Sequence, residues 1–259
     1  MIDRRDELLA NSGWSELVRK IRARTPARVL AGRAGAAYRT ETQIQLREDH
    51  AAARDAVRAE FDLNAALGAR VIEEWKLFGV RTRASSKDEY LLHPSLGREF
   101  SDAARAEISR RCPSGQDFQI AIGDGLSVPA IRAQVPALLP LLLAGAEART
   151  WSVGQVFAIK HCRVGILNEI GQLLQPRVAV LLIGERPGLA TAESLSAYMA
   201  YQPRAEHSDA DRNLISNIHA RGLNAENAAV RILNLCAQMM KLGASGYSLK
   251  EDRPRLETT

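Results

Sequence analysis

The run Val178-Ala179-Val180-Leu181-Leu182-Ile183 contains no polar position and is rich in β-branched residues. A strand that shows one face to water alternates polar and apolar side chains. This one does not, so both of its faces must be buried, as in the parallel sheets of α/β proteins. The turn Gly184-Glu185-Arg186-Pro187-Gly188 follows directly. Open α/β sheets hold their ligands beyond the carboxyl ends of their strands. A Glu-Arg pair between two glycines at such a strand end is costly unless something uses it, and the functional site is expected here.

The neighbouring pattern points the same way. Phe118 to Ile122 reads as a strand ending in Gly123-Asp124-Gly125-Leu126-Ser127, and Pro129 to Ala144 as a helix with proline in its first turn. Val153 to Ile159 reads as a second strand, Val164 to Leu174 as a helix and Val178 to Ile183 as a third strand. Ser101 to Arg111 is helical with Ser101 as N-cap, and Ala192 to Ala200 reads as helix giving way to strand. Ala225 to Lys241 carries Ala228, Ile232, Leu235 and Met239 at helical spacing and is stopped by Gly243 and Gly246. Strand and helix alternating at this spacing imply right-handed parallel crossovers. The expected fold is therefore α/β, with a Rossmann-like parallel sheet and helices on both faces.

Residues 1–60 read differently. Glu7 to Ala23 and Thr40 to Arg58 have helical spacing, but the second is full of Arg, Asp and Ala and has little apolar surface. Such a segment is expected to be a helical arm lying on another surface, leaving residues 61–259 as the α/β domain. Phe61 to Gly79 reads as one more helix, with Leu63, Leu67, Val71 and Trp75 spaced by four.

A chain of 259 residues can bury roughly 70–75% of its unfolded surface, enough for one large core with an appendage. The formal net charge of +5 comes mainly from dispersed arginines interleaved with acids, and aromatics make up only 5%. Nucleic-acid binding calls for clustered cations and stacking aromatics, so the charge is read as a solvated surface or a face for an acidic partner. Cys112, Cys162 and Cys236 have no metal-ligand spacing and imply no disulfide framework. Met1-Ile2-Asp3-Arg4-Arg5-Asp6 is too charged to open a signal peptide, and Val135 to Ala146, interrupted by Pro136 and Pro140, is short of a membrane span. The expectation is a cytoplasmic protein with no membrane and no nucleic-acid partner.

Three motifs carry possible chemistry. Gly123-Asp124-Gly125-Leu126-Ser127-Val128 starts like a dinucleotide fingerprint but has Val128 where the third glycine belongs. It can instead bring amides and the Ser127 hydroxyl to a polar ligand, or be a turn shaped by Asp124. Glu185 accepts hydrogen bonds from N–H or O–H groups when ionised; its alternative is an ion pair with Arg186 or a neighbouring arginine. His219, in Asn217-Ile218-His219-Ala220-Arg221-Gly222, matches half of the Asp-x-His-x-x-Gly by which one class of cobalamin proteins ligates cobalt. Asn217 stands where the orienting aspartate would be, and a structural role for His219 is expected.

Longer words place the chain beside one family. Cys162-Arg163-Val164, Gly184-Glu185-Arg186-Pro187-Gly188-Leu189, Glu193-Ser194-Leu195-Ser196 and Asp211-Arg212-Asn213-Leu214-Ile215-Ser216-Asn217-Ile218-His219 resemble the small (light) subunit of ethanolamine ammonia-lyase. Asp124-Gly125-Leu126-Ser127, Gly32-Arg33-Ala34-Gly35 with Arg39-Thr40, and Ala244-Ser245-Gly246 fit it too, so the resemblance runs from about residue 15 to 248. It implies an adenosylcobalamin-dependent carbon–nitrogen lyase that turns ethanolamine into acetaldehyde and ammonia by a radical route. A large subunit, a TIM barrel, holds ethanolamine, and a Rossmann-like small subunit packs its strand ends over the barrel with the corrin between them. By the same resemblance residues 61–259 are the cobalamin-binding domain, and the arm packs on partner subunits.

Family cobalamin contacts fall on Val164, Glu185 and Leu214. Glu185 is expected to accept hydrogen bonds from the corrin amides or the nucleotide-loop sugar, and Val164 to add a carbonyl and an apolar wall. Leu214 stands where relatives carry a small residue such as cysteine, which leaves apolar or backbone contact. Asn217 agrees with the family habit of keeping the cofactor's own base on cobalt. No catalytic residue and no metal ligand is expected in this chain. Some relatives carry a long N-terminal extension that can address the enzyme to a bacterial microcompartment; this chain starts close to the shared region, which leaves residence in such a shell open. The competing readings are a stand-alone α/β nucleotide-dependent oxidoreductase using the Gly123–Ser127 turn, and a basic nucleic-acid-binding module.

Overall fold

The computed structural model describes residues 13–25, 27 and 29–251. Helix α1 (Gly13–Ala23), the small hairpin β1 (Arg33–Ala34) and β2 (Ala37–Tyr38), and helix α2 (Thr40–Arg58) come first. Of the helix expected over Glu7 to Ala23, residues 7–12 lie outside the described part. The remaining elements are α3 (Leu63–Glu74), β3 (Phe78–Arg81), α4 (Lys87–Leu92), a 3₁₀ turn (Pro94–Arg98), α5 (Asp102–Arg111), β4 (Phe118–Gly123), α6 (Val128–Glu147), β5 (Phe157–Lys160), α7 (Ile166–Leu174), β6 (Val178–Gly184), β7 (Leu195–Tyr201), β8 (Asn213–Ile218) and α8 (Ala225–Leu242).

The six-stranded sheet has the order β3-β5-β4-β6-β7-β8. β3, β5, β4 and β6 are mutually parallel, as expected for crossover connections through helices. β7 and β8 extend the sheet in antiparallel fashion, so the sheet is mixed rather than wholly parallel. Every residue of β4 and β6 is buried. Their side chains alternate between two cores: Ile120, Ile122, Val180 and Leu182 face Ile131, Val135 and Leu138 of α6 and Ile232 of α8, while Ala121, Leu181 and Ile183 face Ile108 of α5 and Ile166 and Ile170 of α7. Full burial of each such aliphatic side chain contributes about 1.5–3 kcal/mol, which explains why β6 carries no polar position; the one polar residue of β4, Gln119, is buried with its amide donating to the Ile120 and Gln155 carbonyls. α6 is long and apolar enough to span a membrane by length and composition, but Val128, Ile131, Val135, Leu138, Leu139 and Leu142 are buried in the first of these cores.

Capping follows the chemistry of the termini. Ser101 and Ser127 accept from Ala104 N and Ala130 N at 3.2 Å each, and α8 ends on Gly243 at φ 67°, where its N–H reaches the Met239 carbonyl. Three expectations need correction. The helix expected over residues 61–79 is α3 alone, kinked at Gly68 (φ 76°) and ended by Lys76 (φ 50°). Phe78 and Val80 then alternate with exposed partners in strand β3. The second strand starts at Phe157 because Val153 makes only an isolated bridge to Phe118. Residues 185–194 form a loop instead of a helix before β7. α2 has one buried residue, Ala56. At the other end, Ser245 Oγ accepts from Tyr201 N (3.0 Å) and donates to the Asp211 carbonyl (2.6 Å), while the Asn213 side-chain amide donates to the carbonyls of Gly246 and Leu249. Residues 245–249 thus strap the far ends of β7 and β8 together.

Candidate functional site

The carboxyl ends of β4, β5 and β6 enclose an open cavity of about 360 Å³. Gly125 and Leu126 follow β4, Cys162, Arg163 and Val164 follow β5, and Glu185 and Arg186 follow β6. β7 and β8 add a side wall with Ser196, Tyr198, Leu214 and Ser216. Val164, Glu185 and Leu214, named from three separate stretches of sequence, all line this one cavity. The wall is apolar at Leu126, Val164, Tyr198 and Leu214, with Glu185 and two arginines among the lining residues. Burial pushes the Tyr198 phenol up, and the charges of Asp209 and Glu185 act in the same direction, so that side chain stays a neutral ring with a hydroxyl.

Glu185 is half-buried and held from two sides. Its Oε1 accepts from Ser196 Oγ at 2.6 Å and from the Asn217 backbone N–H at 2.9 Å. Asn217 presents that N–H from a left-handed conformation (φ 58°), which asparagine tolerates better than most residues. Among the described residues Glu185 makes no ion pair with Arg186, and Oε2 has no hydrogen bond. The alternative of an internal Glu185–Arg186 pair is therefore corrected: the carboxylate is oriented by β7 and β8. Gly184 is required for a different reason from ligand approach. A Cβ there would sit 2.7 Å from the Asp124 carbonyl, because the turns after β4 and β6 touch at this point.

The Gly123–Ser127 turn is spent on the fold. Leu126 N–H donates to the Gly184 carbonyl (3.1 Å) and Ser127 N–H to the Asp124 carbonyl (3.2 Å). Ser127 Oγ caps α6 and donates to the Ala192 carbonyl, and the residue is wholly buried. Of the two readings left open for this turn, the Ser127 hydroxyl and the Leu126 and Ser127 amides follow the fold-shaping one. Asp124 shapes the loop: its two oxygens accept from Cys162 N (2.8 Å) and His161 N (3.0 Å), and Lys87 Nζ lies 3.6 Å away. Burial pushes its carboxyl up, opposed by the Lys87 charge and the two amides.

His219 is buried, with Nδ1 accepting from Arg221 N (3.3 Å), and it does not line the cavity. Its structural reading holds. Cys162 lines the cavity, but burial holds its thiol well above the usual range. Among the described residues no cluster of His, Cys, Asp or Glu has metal-binding geometry. Sequence reasoning did not single out Tyr90, Arg163 or Tyr198. Only Arg163 had a signal, since it sits inside one of the family words; Tyr90 comes from a helix far upstream of the other lining residues.

The family model described as Ethanolamine ammonia-lyase light chain (EutC) matches residues 15–250. Curated relatives named ethanolamine ammonia-lyase small subunit include one from Clostridioides difficile (strain 630), 41% identical over 250 residues, covering 96% of this chain and 83% of the relative. One from Clostridium perfringens is 40% identical over 250 residues with the same coverage. Another, from Listeria monocytogenes, is 39% identical over 231 residues, covering 89% and 77%. With a match spanning nearly the whole described fold and the cavity within it, the chain belongs to the ethanolamine ammonia-lyase light chain family.

Proposed function

We propose that this chain is the small subunit of an adenosylcobalamin-dependent ethanolamine ammonia-lyase, and that its strand-end cavity holds one edge of the cofactor against a large catalytic subunit. The observation that carries the reading is the convergence of Val164, Glu185 and Leu214 on one cavity. The residues present fit such a group at its periphery. Glu185 offers a free carboxylate oxygen to amide or hydroxyl donors, and Leu126, Val164, Tyr198 and Leu214 give an apolar wall that excludes water. No histidine is among the lining residues. A corrinoid is much larger than about 360 Å³, so the cavity can cover only part of it and a second surface must cover the rest.

When bound, adenosylcobalamin supplies the homolysable cobalt–carbon bond from which the reaction of ethanolamine to acetaldehyde and ammonia starts. This chain binds and orients the cofactor and keeps one side of it dry; it contributes no nucleophile or general base. The arm is the docking element for the partner, since Leu17, Ile21, Leu30, Tyr38 and Ile44 are exposed along it. The test is to co-express the chain with a large subunit of the same enzyme and titrate adenosylcobalamin into the complex and into each subunit. Tight binding and turnover only in the complex support the reading. A large subunit that binds cofactor and turns over ethanolamine equally well without this chain overturns it.

A further inference from the structure

In the cavity floor, which Tyr90 itself helps to line, lies a buried cluster outside the three expected cofactor contacts. The Tyr90 hydroxyl donates to the carbonyls of Gly125 (2.9 Å) and Cys162 (2.8 Å), one proton shared between two acceptors. Those carbonyls belong to the turns after β4 and β5, and both turns line the cavity. Asp124 ties the same two turns from the other direction, accepting from the amides of His161 and Cys162. Lys87, three residues before Tyr90 on the short helix α4, is buried with its ammonium 3.6 Å from Asp124 and 5.1 Å above the Tyr90 ring. His161, at φ 60°, stacks on the Tyr90 ring at 5.6 Å, and the Arg163 guanidinium, in the cavity wall, covers that ring at 4.3 Å.

We infer that Tyr90 and Lys87 are positioning residues: from α4 they lock the turns after β4 and β5 in the register that sets the cavity floor at Leu126 and Val164. A burial of this kind is expensive as a mere support. A Lys–Asp pair out of water is weak evidence for stability, because desolvation offsets most of the attraction, and an apolar pair could fill the space. What the pair gives that an apolar pair cannot is direction. Asp124 must stay an acceptor toward two consecutive amides, one of them on a residue in the left-handed region, and Lys87 holds it there. The tyrosine then fixes the carbonyl side of the same two turns, so neither turn can rotate a peptide without breaking a bond below the cavity. The inference rests on the proposed cofactor-holding role.

The experiment uses the two-subunit complex, with adenosylcobalamin dissociation constant and thermal midpoint measured for Tyr90→Phe, Lys87→Met, Glu185→Gln and Ile232→Val. Ile232 lies in the opposite core, on α8, and serves as a control of comparable destabilisation. Tyr90→Phe is expected to raise the dissociation constant about tenfold, with a midpoint loss no larger than that of Ile232→Val, whose cofactor affinity stays unchanged. Lys87→Met gives the same reading should the tyrosine variant not assemble. A lower midpoint for both α4 variants with an unaltered dissociation constant makes the cluster a structural support only and overturns the inference. If Glu185→Gln also leaves affinity unaltered, the cavity is not the cofactor site and the underlying reading fails; if Glu185→Gln weakens binding while the α4 variants do not, only the positioning role is refuted.

Discussion

Replacing Glu185 with glutamine isolates the carboxylate charge. In the structure Oε1 takes both internal hydrogen bonds, from Ser196 Oγ and from Asn217 N–H. Glutamine keeps a carbonyl oxygen able to accept both, so the link between the turn after β6 and the side wall survives. What changes is the second oxygen, which becomes an NH₂ group that repels a ligand donor instead of accepting from it. A hydrogen bond to a charged acceptor is worth about 1.5–3 kcal/mol. Its loss converts to a rise of roughly ten- to a hundredfold in apparent cofactor dissociation constant, with turnover at saturating cofactor nearly intact and a thermal midpoint close to that of the parent. Equilibrium titration of the two-subunit complex, with melting of the apo complex alongside, measures both quantities. Glu185→Ala should add a loss of stability, because it strands the Asn217 N–H and the Ser196 hydroxyl. An unchanged dissociation constant in the glutamine variant would remove Glu185 from the site.

The purified chain alone should show no ammonia-lyase turnover and gain it on mixing with a large subunit and adenosylcobalamin; turnover by the chain alone sinks the subunit reading. Deleting residues 1–38 should weaken assembly on size-exclusion more than it lowers the melting point of the α/β core, since the exposed side chains Leu17, Ile21, Leu30 and Tyr38 go with it; normal assembly by the truncated chain refutes the docking role of the arm. Leu138→Ala, at a wholly buried site on α6, should cost about 2–5 kcal/mol in urea unfolding, and a cost near zero would mean that this core is looser than described. Asp117 is held below the usual carboxylate range by the Ser152 N–H first and then by Arg177. Its contribution is therefore present above the unfolded value of about 3.9 and lost as pH falls through the folded one. Asp117→Asn should destabilise at neutral pH, with the gap to the parent closing in acid, and a gap of constant size down to pH 3 would show that its charge is not involved.

The parts of the fold that could be read from the sequence were those whose burial leaves a local trace. β6 shows as an unbroken apolar run, β4 as a short run broken only by Gln119, and α8 as a stripe closed by Gly243. β3 escaped because four residues after a helical spacing of four are too few to announce a change of period, and Gly79 sits in the middle of them. β8 escaped because Asn213, Ser216 and Asn217 give it the composition of a loop; it is an edge strand whose outer residues need not be apolar. Glu185 was visible from its place after a buried strand. Val164 and Leu214 were named only through the family resemblance, and Tyr90 not at all. Its role depends on α4 being carried under two strand ends, a contact across 35 and 72 residues that no local pattern encodes.

The strap at residues 245–249 sets an order on how the site can be made. β4, β5 and β6 can pair as soon as residue 184 has been synthesised, and they bring the turns at Asp124 and Cys162 with them. The side wall follows, since β7 and β8 come later in the chain, and the Ser245 hydroxyl that joins Tyr201 to Asp211 and the Gly246 and Leu249 carbonyls that hold Asn213 come later still. Chains fold from their N-terminal side during synthesis, so the side wall of the cavity is completed after the strand ends that it flanks.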